Sequence, residues 1–124
     1  MRMKIEQLFR LVEQAENRLK NNDAVFAAEK LYKAAEESIK ILAIRNTLTK
    51  SGKSRWTTNE LNDCAKQLAL TYGDNLKKNW DIAFKTLHRD GFHENNLKPE
   101  DILDYISNVM EIIEIVKSNK KHSS

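Results

Sequence analysis

Three glycines and one proline in 124 residues leave this chain almost no turn chemistry. A β-sandwich or barrel needs a turn signal roughly every 8 to 12 residues, so an all-β fold is excluded. Apolar residues instead return at steps of three and four, the repeat of a helix with one buried stripe. Ile5, Leu8, Phe9, Val12, Ala15 and Leu19 follow that repeat and predict a first helix near residues 3–21. The fold class that follows is all-α, an up-and-down antiparallel bundle of about five helices.

The remaining helices each have a start or stop signal. Asp23 can accept from the free amides of a second helix, about 24–48, with Ala24, Ala27, Ala28, Leu31, Ala35, Ile39 and Leu42 turned inward. Its alanines favour helix and let neighbours approach closely. Thr57 and Glu60 stand at capping-box spacing ahead of a third helix carrying Leu61, Cys64, Ala65, Leu68 and Tyr72. Gly73 reads as its left-handed terminator, and Asp74 as the cap of a fourth helix with Leu76, Trp80, Ala83, Phe84 and Leu87, ending near Gly91. Pro99, Glu100 and Asp101 open a fifth, about 99–118. One domain over 1–118 is expected, with 119–124 as a frayed tail.

The fifth helix has an unusually wide apolar arc, so it is either central in the bundle or shared with a second copy. A homodimer is expected, with Ile102, Ile106, Val109 and Ile113 divided between the core and the partner. With 40% hydrophobic and 31% charged residues the composition is that of a globular protein. No apolar run approaches the ~18 residues of a membrane span, and no signal peptide is evident. The single cysteine, Cys64, lies on a buried stripe and reads as an inert core thiol. These features suit a cytoplasmic location.

Two segments hold chemistry. Lys40, Arg45, Lys50, Lys53 and Arg55 occupy residues 38–59 without a carboxylate, and Trp56 follows Arg55. Lys50, Lys53 and Arg55 could hold phosphates while Trp56 stacks on a base, which makes RNA or a nucleotide the candidate ligand. The competing reading is a solvated surface with Trp56 stapled onto the next helix. Lys50 to Ser54 is not a P-loop, because the strand and the second glycine are missing. The other segment, Leu87 to Glu94, gathers His88, Arg89 and His93 at a helix end. Histidines transfer protons near neutral pH and arginine stabilises charge on phosphorus, so a metal-independent ribonuclease could be built here. Its competitor is ordinary capping of a helix C-terminus. His88 and His93 are five apart, not the four that would align zinc ligands, and no cysteine cluster supports a metal. No metal and no cofactor is called for.

The second helix from Ala27 to Ala43, taken with Trp80-x-x-Ala83-x-x-x-Leu87-His88-x-x-Gly91-Phe92-His93-Glu94, resembles the archaeal PaREP family, itself similar to the HEPN superfamily of small helical domains. The resemblance covers about residues 5–117. It implies a bundle of about five helices that commonly pairs into dimers, in a superfamily of ribonucleases, toxins and partners of nucleotidyltransferases. The catalytic signature there is an arginine followed, after four to six residues, by a histidine. Only three residues intervene between Arg89 and His93, so the signature is not met. The expected function is a non-catalytic binding or accessory module, with the ribonuclease as its alternative.

Overall fold

A computed structural model describes residues 4–50 and 52–119, and of His93 the backbone alone. Residues 120–124 of the expected tail lie outside the described residues. Among the described residues every regular element is helical: α1 (Ile5–Lys20), α2 (Ala24–Arg45), α3 (Thr58–Tyr72), α4 (Asp74–Asp81) with its continuation Ile82–His93, and the pair α5 (Pro99–Leu103) and α6 (Ile106–Ser118). Counting each continuous arm once gives five helices packed on one another.

The boundaries follow from local chemistry. Asp23 accepts from the Phe26 amide at 3.3 Å and starts α2. Thr57 and Glu60 form the expected box: the Glu60 amide donates to Thr57 Oγ1 at 3.1 Å, and the Thr57 amide to Glu60 Oε1 at 2.9 Å. Pro99 opens α5, and the Asp101 carboxylate accepts from the Lys98 amide at 3.0 Å.

Four details differ from the expectation. α2 stops at Arg45, because Thr47 turns the chain with φ 55°. Gly73 has φ 105° and ψ 158°, a region only glycine enters freely, and joins α3 to α4 with no other residue between them. Asp74 therefore falls inside the first turn of α4, and its side chain does not cap. The fourth helix does not end at Gly91 but is π-wound from Ile82 to His93, and the Glu94 amide closes it by donating to Arg89 O, five residues back. The fifth helix breaks at Asp104 and Tyr105, whose amides reach carbonyls only three residues back, at 3.3 and 2.9 Å. That tightening re-aims α6 relative to α5.

α2 is the central element, touching α1, α3, the π-wound segment, α5 and α6. Its alanines 27, 28, 34, 35 and 43 are fully buried, which is how one helix accommodates neighbours on nearly every side. Leu8, Leu31, Ile39, Leu42, Leu68 and Trp80 fill the space between the helices. No helix among the described residues is long and apolar enough to cross a membrane.

Candidate functional site

Trp80, Phe84, His88 and Phe92 recur at every fourth residue, so their rings share one face of the fourth helix. They stack along it with centroid separations of 6.2, 6.0 and 6.3 Å. Tyr32 of α2 lies against the ladder, 4.1 Å from the His88 ring at 21° and 5.7 Å from Trp80. Burial, with the Glu36 carboxylate adding to it, pushes the Tyr32 phenol well above its ordinary range, so it keeps its proton at any physiological pH. His88 is thereby a half-buried rung turned toward α2. Arg89, the next residue, is exposed and its Nε donates to Asp90 Oδ1 at 3.3 Å. The two side chains diverge, and that of His93 lies outside the described residues. Among the described residues no group of three His, Cys, Asp or Glu side chains is placed to hold a metal ion.

Two cations of the basic stretch, Lys40 and Lys53, are paired with carboxylates. Lys40 meets Glu37 at 3.2 Å and Glu36 at 3.7 Å. Arg45 donates to Val116 O at 2.8 Å and so closes the C-terminal end of α6. Lys53 meets Glu60 at 2.6 Å. Trp56 is half-buried, donates from Nε1 to Lys53 O at 3.3 Å, and has the Lys53 and Lys40 amino groups 5.5 and 5.9 Å from its ring centre. The ring is thus held by the loop's own backbone and flanked by two of its own cations. Lys50 and Arg55 are the exposed cations of the run.

Glu60 ties this loop to α3. Lys53, by hydrogen bonding first, and then the Thr57 amide hold the Glu60 carboxyl below its usual value. A depressed carboxyl contributes stability that is present above its unfolded pKa of about 4.3 and is lost as pH falls through the lower folded value. Acidification through that lower value is therefore expected to release the Lys53 loop. Trp56 fluorescence should change with the Glu60 side-chain shift in an NMR titration, and Glu60→Gln should abolish that step. A Glu60 shift that titrates at the ordinary value would refute the linkage.

A broad concavity lies elsewhere. A groove of about 920 Å³ opens between the end of α3, the start of α4 and the α5–α6 arm. Tyr72, Leu76, Leu103, Ile106 and Met110 provide its apolar walls, while Glu111 and Glu114 stand on its α6 side. Asn79 lines it and is 4% exposed; its Oδ1 accepts from Asn108 Nδ2 at 2.9 Å, and its own Nδ2, also buried, has no partner. The four positions expected at a dimer interface separate here. Ile102, Val109 and Ile113 are fully buried in the chain's own core, because the α5–α6 arm packs on α2 and α1, and a fully buried side chain cannot also meet a partner. Ile106 is half-buried and packs against the core, while Leu103 is 56% exposed. Sequence reading missed Asn79, although an asparagine between Leu76 and Ala83 on an inward stripe was a signal.

These observations define a small all-α bundle that carries an apolar groove with a polar floor. Residues 3–113 match the archaeal PaREP1/PaREP8 family. The chain belongs to that family. Two solved structures are similar to it. One is a crystal structure of a Sulfolobus solfataricus protein, target SsR10, with 32% identity and a TM-score of 0.79 over 90% of this chain and 93% of that one. The other is a solution structure bearing the same target label, with 31% identity and a TM-score of 0.75 over 94% and 93%. Among curated proteins none matches.

Proposed function

We propose that this chain is a non-catalytic, HEPN-like binding or accessory module that acts as a homodimer. The observation carrying the reading is the divergence of His88 from Arg89: one is a rung of an aromatic stack against α2, the other an exposed cation beside Asp90. General acid–base cleavage of RNA needs both groups at one phosphate, in a cleft open to a polymer. The groove lies among α3, α4, α5 and α6 and contains neither residue. It is the working face of the module. Pairing uses the exposed edge of the α5–α6 arm, with Leu103 foremost, and leaves the groove open to solvent.

Incubation of a structured RNA with the protein and EDTA is expected to give no cleavage above a no-protein control, and His88→Ala is expected to change nothing. Cleavage by the wild type that disappears in a folded His88→Ala variant would overturn the non-catalytic reading. Light scattering at high micromolar concentration is expected to give twice the chain mass of 14.4 kDa, and Leu103→Asp to return it to one. A wild type that stays monomeric there would remove the pairing. RNA contact through the exposed Lys50 and Arg55 is expected to be weak and to fade with salt.

A further inference from the structure

The groove has three properties that together select a kind of ligand. Its volume, about 920 Å³, lies within the range of sites that enclose a small organic molecule. Leu76, Ile106 and Met110 offer an apolar bed, and Met110 is flexible enough to adapt to an uneven shape. The polar groups are of two kinds. Glu111 and Glu114 are exposed on the α6 side, and neither has a cation within 4 Å among the described residues, in a chain whose net charge is +3. Asn79 Nδ2 is a buried donor with no acceptor. Native structures rarely leave such a donor unpaired.

Resting on the reading of this groove as the module's working face, we propose that it binds a small cationic amphiphile: an apolar chain, a carbonyl and an ammonium group. The chain lies on Leu76, Ile106 and Met110. The carbonyl oxygen accepts from Asn79 Nδ2, with a small shift of the floor to admit it. The ammonium sits between Glu111 and Glu114. An anionic amphiphile of the same length is rejected, because its head would meet two carboxylates instead of a cation's two partners.

The test is a titration of the ¹⁵N-labelled full-length protein with N-(2-aminoethyl)octanamide, with octylamine (no carbonyl) and with octanoate (opposite charge). Amide shifts with the first probe are expected to cluster at residues 72–79 and 103–115. Octanoate is expected to bind at least about tenfold more weakly, the size of one displaced charge contact, and octylamine to fall between the two. Glu111 and Glu114 are exposed, so the Glu111→Gln, Glu114→Gln double variant keeps the fold and is expected to remove the discrimination between probe and octanoate. Equal binding of octanoate and probe to the wild type overturns the cation preference, and equal binding of octylamine and probe overturns the Asn79 contact. Absent or scattered shifts overturn the site altogether. None of these results bears on RNA cleavage, which decides the non-catalytic reading separately.

Discussion

Truncation of Trp80 to alanine is expected to lower stability by about 3–5 kcal/mol, a large part of the roughly 5–15 kcal/mol that holds a domain folded. Among the described residues Trp80 is the largest fully buried side chain. Its indole contacts the Tyr32 ring at 5.7 Å and the Phe84 ring at 6.2 Å, so it joins α2 to the fourth helix at the base of the aromatic ladder. Its Nε1 donates to Asn62 Oδ1 at 2.7 Å and thereby ties the ladder to α3 as well. An alanine would leave a cavity where three helices converge. Trp80→Phe keeps a ring and loses the hydrogen bond, so its cost should be well under that of alanine, near the ~0.5–1.5 kcal/mol of one net bond plus a smaller void. Urea denaturation followed by far-UV circular dichroism measures both. A Trp80→Ala loss below about 1 kcal/mol would mean that the junction collapses around the missing ring, contrary to the packing described.

Much of the architecture was legible because each cap is a local device. Asp23, Thr57 with Glu60, and Pro99 act within four residues of themselves, and the structure places each at a helix start as read. The differences arose where a residue's partners lie outside the stretch being read. Lys40 seemed unpaired in a window beginning at Ser38, but its carboxylates, Glu36 and Glu37, lie just before that window, one helical turn back. Arg45 is satisfied by Val116 O, which no local pattern reveals. The wide apolar arc of the last arm was correctly seen, yet sequence periodicity cannot distinguish a helix wrapped by its own chain from one wrapped by another. The turn at Asp104 and Tyr105 and the packing on α2 direct Ile102, Val109 and Ile113 inward. Leu103 is left outside. Of the candidate site, the residues that define the groove come from four elements, and Asn79 alone carried a signal in its own neighbourhood.

Gly91 shows the same dependence on a distant partner, and it supports the other large prediction. Glycine after a helical run ordinarily reads as a terminator, and in an exposed helix its replacement by alanine stabilises by up to about 1 kcal/mol. Here the sign is expected to reverse. Gly91 is buried inside the π-wound segment and lacks the positive φ of Gly52 and Gly73. A Cβ added to it would lie 2.9 Å from Ala28 Cβ and 3.2 Å from Leu97 Cδ1. Leu97 has rotatable bonds and can withdraw. Ala28 cannot, because its Cβ is fixed to the backbone of the central helix and is itself fully buried. Relief therefore requires α2 and the fourth helix to separate, disturbing the Tyr32–His88 stack, so Gly91→Ala is expected to cost about 1–3 kcal/mol and Gly91→Val more. Ala28→Gly removes the opposing atom at a helix-interior cost of roughly 1 kcal/mol. In that background Gly91→Ala should become nearly neutral, giving a coupling of at least about 1 kcal/mol in the double-mutant cycle. Strict additivity of the two substitutions would show that the helices are not in contact at this point, and a stabilised Gly91→Ala single variant would restore the reading of Gly91 as a helix end.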